Sequence, residues 1–173
     1  EDSAPYTNVA WLLEQLEKMP VLPDAFVCAN DFLAIHLLNA LKKKFTDKDI
    51  TLIVGSYFDV PLGENVFDAA VSVESLHHFT KDEKIPLYKK LHTALRANGY
   101  LILTDYFVAT DDEEQTHRNN LNALKAEQGI RDDEFYHYDT PLTVQHETEA
   151  LLEAGFASVQ VLKSWGTTYT IKA

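Results

Sequence analysis

The residues able to do chemistry stand where apolar runs end. His78 follows the run from Phe67 to Val73, and an imidazole there can take or give a proton near neutral pH. Its structural role would be to close the strand and orient the next loop through a hydrogen bond. Asp31 follows the run from Ala25 to Ala29, where a carboxylate can cap the N-terminus of a helix. Cys28 lies inside that same run, beside Phe26, Val27 and Ala29, and reads as strand core rather than as a nucleophile. Phe135, Tyr136, His137 and Tyr138 form an aromatic group without sustained period, suited to an ordered loop or lid that lines a cleft. No metal-ligand set is assigned.

The elements that must position these residues are those of one α/β domain of 173 residues. A helix is expected around Val9, Leu12, Leu13 and Leu16, then strands at 25–29, 50–54, 67–73 and 100–104, with helices between the first two and between the last two. Ala34, Leu37, Leu38, Leu41 and Phe45 give one helix its packing face. Thr80 with Glu83 makes a capping box for another, and Ile85, Tyr88, Leu91 and Leu95 carry it toward Gly99. The acidic residues 111–114 favour a helix N-terminus, and Gly129 stops that helix. Thr143 caps a last helix with Leu151 and Leu152 inward, and 157–163 with 167–172 close the chain as two strands. The expected fold is a three-layer Rossmann-like open sheet, mostly parallel, with a C-terminal antiparallel hairpin. Residues 25–29 are expected to pair directly with 67–73 in a monomer; an open edge would instead favour a homodimer.

A net charge of −12 disfavours a nucleic-acid backbone or an anionic membrane as partner and leaves a small molecule as the natural ligand. Residues 111–149 hold eleven carboxylates against three Lys or Arg, read as a solvated helical face with its loops. The single cysteine, the absence of a membrane-spanning apolar run and the lack of a signal-like N-terminus lead to the expectation of a cytoplasmic protein.

From about residue 42 to 173 the sequence resembles class I S-adenosylmethionine-dependent methyltransferases, through ITLIVGSYFDVP at 50–61, FDAAVSVESLHHF at 67–79 and GYLILTD at 99–105. The resemblance implies a cofactor at the carboxyl ends of the strands and a small-molecule methyl acceptor. It implies that Ser56 and Tyr57 lie at the adenine, that Asp59 shares their loop, and that Ser75 to His78 border the substrate opening. Glu74 would balance the sulfonium charge, and His78 is the acid-base candidate. The family's glycine-rich turn, which lets backbone amides approach the cofactor, has no counterpart between Thr7 and Asp31.

Residues 1–44 resemble instead the effector-binding domain of the lactose-repressor family, through WLLEQL at 11–16 and PDAFVCANDFLAI at 23–35. There Asp31 would face a sugar or nucleoside diol. Together the two resemblances imply a chimera joined within 42–50: an engineered or recombined scaffold that binds S-adenosylmethionine or S-adenosylhomocysteine weakly and lacks efficient catalysis. An active small-molecule methyltransferase and a ligand-binding module without catalysis are the alternatives.

Overall fold

A computed structural model of the chain describes residues 14, 18, 25–28, 31–46, 50–51, 53, 55–131 and 133–173. The expected first helix therefore lies almost wholly outside the described residues; Glu14 and Lys18 are helical and joined by a 2.8 Å ion pair.

The strands are β1 (Ala25–Cys28), β2 (Phe67–Val73), β3 (Leu95–Tyr106), β4 (Gln160–Trp165) and β5 (Thr168–Lys172). They form one sheet in the order β1-β2-β3-β5-β4. β1 pairs directly and in parallel with β2, Ala25 opposite Ala70 and Cys28 opposite Val73, as expected. β2 and β3 are also parallel, whereas β5 runs antiparallel to both β3 and β4. The sheet is thus mixed, which corrects the mostly parallel, three-layer expectation: the tight turn at Gly166, with φ 58°, folds β5 back along β4, and β5 then pairs antiparallel with β3. A strand at 50–54 is not borne out by its described residues 50, 51 and 53, of which Thr51 and Ile53 are exposed. Among the described residues β1 consequently has β2 as its one neighbour and stands at the sheet edge, so direct pairing did not remove that edge.

The helices are α1 (Asp31–Lys44), α2 (Lys81–Ala94), α3 (Asp111–Gln128) and α4 (Val144–Glu153). α1 buries Ala40 and Leu41 and ends on Lys42, Lys43 and Lys44, which suit the negative pole of its dipole. α2 begins where the Glu83 carboxylate reaches back to accept from the Thr80 amide at 2.7 Å and hydroxyl at 2.8 Å. Its inner residues Ile85, Tyr88 and Leu91, with Leu95 just beyond, join Leu101, Leu103 and Ile171 of the sheet and Phe107 just past β3 in the core. α3 starts on Thr110, whose hydroxyl accepts from the Glu113 amide, and ends on left-handed Gly129. α4 starts on Thr143 and buries Ala150 and Leu151; Leu152, expected inward, is 47% exposed because it falls one position round the helix from that face. No helix among the described residues is long and apolar enough to cross a membrane.

Two of the carboxylates read as solvated are buried. Glu114 of α3 accepts from the Thr143 amide at 2.9 Å, sits 2.8 Å from His146 Nδ1 and pairs with Arg118, tying α3 to the start of α4. Glu147 of α4 takes the Lys84 ammonium at 2.6 Å and the Tyr88 hydroxyl, with all three side chains buried. Burial and the adjacent Glu147 push the Tyr88 phenol well above its ordinary range, so it stays a donor. Removing one charge of such a pair strands the other away from water, at a cost of about 3–5 kcal/mol. Lys84→Met should lower the unfolding free energy in urea by about that amount. Adding Glu147→Gln should recover much of it, because a neutral amide oxygen still accepts from Tyr88; a double variant no more stable than Lys84→Met would contradict this reading.

Candidate functional site

The carboxyl ends of β2 and β3 meet at Asp105. This carboxylate is buried, accepts from the Leu76 amide at 2.9 Å and the Tyr106 amide at 2.9 Å, and lies 2.5 Å from His77 Nδ1. Burial works against its charge, but the His77 hydrogen bond, the charges of Lys84 and His77 and the Leu76 amide together hold it below the usual carboxylate range. For His77 burial likewise opposes charge, and the Asp105 hydrogen bond with the Asp105 and Asp139 charges outweighs it, so this imidazole titrates above its ordinary value. With Nδ1 engaged by Asp105, Nε2 is the nitrogen aimed outward.

The segment between α3 and α4 lies across this end of the sheet. The Thr140 amide donates to the His77 carbonyl at 2.7 Å, and Val108 forms a bridge with Thr143. Phe135 stacks on Phe79 at 5.6 Å, and the His137 ring sits 4.3 Å from that of His78. Asp139 Oδ1 lies 3.1 Å from His78 Nδ1 and 3.6 Å from His77 Nε2. Of the aromatic group, His137 and Tyr138 border, with Asp139 and His117, a shallow and open depression of about 280 Å³. Burial, then the neighbouring His77 and His137, lower the pKa of His78. Of the two adjacent histidines, His77 is the one backed by a buried carboxylate.

The residues expected at the cofactor divide. Tyr57 donates its hydroxyl to the Ser75 carbonyl at 3.1 Å and sets its ring edge-on to Phe79, so it anchors its loop to the end of β2. Burial and Asp105 push that phenol up to about 12. Lys90 of α2 fixes the same loop by donating to the carbonyls of Tyr57 and Phe58 at 2.8 and 3.0 Å. Ser56 is exposed, its hydroxyl accepting from the Phe58 amide at 3.2 Å, and Asp59 is exposed in the same turn. Glu74 is half-buried and left-handed, φ 47°, with its amide donating to the Thr104 carbonyl. Asp31 is described through its backbone, as the first residue of α1 beyond the end of β1. Tyr57, Glu74 and His78 thus lie at the carboxyl end of β2 with His77, which sequence reasoning sets at the substrate opening but passes over as the acid-base candidate, along with Asp105 and Asp139. The doubled histidine in the turn four residues beyond an apolar strand is the available signal for His77.

A family model described as a methyltransferase domain matches residues 9–103. Among curated proteins none matches the chain by sequence. An O-methyltransferase family 2 protein from Planctomyces limnophilus, solved with apigenin, is 13% identical with a TM-score of 0.63, over 94% of this chain and 45% of its own. YcgJ from Bacillus subtilis is 16% identical with a TM-score of 0.57, over 82% of this chain and 55% of its own. Human N-acetylserotonin methyltransferase, solved with S-adenosylmethionine, is 15% identical with a TM-score of 0.55, over 97% of this chain and 56% of its own. The chain therefore spans about half the length of these structures, and at such identities they show its fold alone.

These findings overturn the reading of residues 1–44 as a lactose-repressor fragment, and with it the engineered or recombined chimera joined at 42–50. One family model runs through that segment without a break, and methyltransferase structures cover nearly the whole chain. The physical reason for the misreading is that a short buried strand followed by a capped helix is required by any parallel sheet covered with helices, so the 23–35 pattern is not particular to one family. With more than half of its residues matched in one continuous stretch, the chain belongs to the methyltransferase domain family.

Proposed function

We propose that this chain is the cofactor-binding part of an active S-adenosylmethionine-dependent methyltransferase for a small molecule, with His77 as the base that accepts the acceptor's proton. The observation carrying this reading is the Asp105-oriented His77 at the carboxyl ends of two parallel strands, beside a cleft roofed by the segment between α3 and α4. Ligands of open sheets of this kind bind outside the carboxyl ends of the strands. S-adenosylmethionine, when bound, supplies an electrophilic methyl group on a sulfonium. The rim residues suit that group in kind: Ser56 and Asp59 offer exposed polar atoms, Glu74 a carboxylate for the positive charge, and Asp31 a carboxylate for ribose hydroxyls.

The chain's own part in the reaction follows from its geometry. Above the raised range in which His77 titrates, Asp105 accepts from Nδ1 of the neutral ring and leaves Nε2 free to take a proton from an acceptor hydroxyl as its oxygen gains the methyl group. The resulting imidazolium is stabilised by the same buried carboxylate. The roofing segment holds the acceptor in place, and such positioning is the larger part of what methyl transfer requires.

Calorimetry with S-adenosylhomocysteine tests the cofactor half of this reading. Without a glycine-rich turn between residues 7 and 31, affinity should fall short of a Kd of about 1 μM, or about −8.2 kcal/mol, yet remain tighter than about 1 mM. Absence of saturable binding at millimolar ligand would contradict it. For the acceptor half, His77→Gln should reduce kcat for methylation of a panel of simple phenols by about 100- to 10,000-fold. S-adenosylhomocysteine affinity should stay within about twofold, and His78→Gln should cost less than His77→Gln; equal kcat in His77→Gln and the parent would remove His77 from the base role.

A further inference from the structure

His77, His78 and Asp139 place three donor atoms within 4.8 Å of one another, where two strands and the roofing segment meet. We propose that they form a site for a divalent transition-metal ion, Zn²⁺ or Co²⁺ in chemical type, held by His77 Nε2, His78 Nδ1 and one Asp139 oxygen.

The two separations to Asp139 fit a small ion. Metal bonds of about 2.0–2.2 Å to nitrogen and carboxylate oxygen put neighbouring ligands of a tetrahedron about 3.3 Å apart, and Asp139 Oδ1 lies 3.1 Å from His78 Nδ1 and 3.6 Å from His77 Nε2. His78 Nδ1 is buried and, although close to Asp139, makes no hydrogen bond of acceptable direction. A buried imidazole nitrogen left in that state is costly unless something else takes it. His77 carries the outer support that metal-binding histidines have: its far nitrogen is engaged by the buried Asp105 carboxylate, which fixes the ring and raises its basicity as a ligand. Thr140, whose amide donates to the His77 carbonyl, holds the Asp139 backbone close to both histidines. Two imidazoles and one carboxylate select a borderline transition metal over Mg²⁺ or Ca²⁺, which prefer all-oxygen cages. Three protein ligands leave a fourth position for water or an incoming oxygen.

Metal binding here needs neither cofactor nor acceptor, so it stands or falls apart from the methyltransferase reading. The two meet at His77 Nε2, which cannot hold a metal and accept a proton at once. An occupied site would therefore silence the base.

The test is titration of the chain with CoSO4, followed by visible absorption and by calorimetry. The parent should bind one Co²⁺ with the absorption of a four-coordinate ion. His78→Ala and Asp139→Asn should each abolish that spectrum, and both are expected to fold, as circular dichroism can verify, because Asp139 is 51% exposed and His78 lies outside the helices and strands. Asp105→Asn should weaken binding about 10- to 100-fold, as loss of such outer support does. His92→Ala, a histidine in the last turn of α2, should leave Co²⁺ binding unchanged. No Co²⁺ spectrum in the parent, or one that persists in His78→Ala and Asp139→Asn, would overturn the proposal.

Discussion

The buried carboxylate of Asp105 is the interaction on which the rest of the site depends. An ionised carboxylate away from water is sustained only if its oxygens are engaged, and here two amides and one imidazole engage them. Those bonds join the end of β3 to the turn after β2, fix the direction of His77 and set its tautomer. Asp105 titrates low and His77 high, so the pair is charged between those limits. Its contribution to stability is complete above the ordinary carboxylate value and below the ordinary imidazole value. It fades as pH falls through the depressed range of Asp105, or as pH rises through the raised range of His77.

A second tier of buried charge holds the roof over that site. Glu114 secures the start of α4 from α3, and Glu147 secures its middle from α2. Because α4 is fixed from both sides, the segment leading into it is fixed too, and Thr140 can meet the His77 carbonyl. The acidity of residues 111–149 is thus partly architectural. Its exposed members set net charge, while Glu114 and Glu147 decide where a functional loop lies.

Much of the fold was legible because it rests on local rules. The Thr80–Glu83 capping box, the Ile85, Tyr88, Leu91 and Leu95 face, the Gly129 stop and the closing hairpin all follow from spacing within a turn or two. The site was less legible because it is built across the chain. Asp105 and Asp139 lie 28 and 62 residues from His77, in a sequence with 27 carboxylates, and only burial beside the His77 ring sets Asp105 apart. His77 and His78 both follow the same strand, and only the pairing of β2 with β3 shows which ring meets the carboxylate. The Tyr57 hydroxyl meets the Ser75 carbonyl across 18 residues, a contact that local spacing does not announce.

The central claim, that Asp105 fixes His77 with Nε2 free, can be read directly from a long-range ¹H–¹⁵N correlation spectrum of the histidine rings in metal-free protein. Neutral His77 should carry its proton on Nδ1 and leave Nε2 bare. A neutral His77 protonated on Nε2, or divided evenly between the two tautomers, would contradict the account.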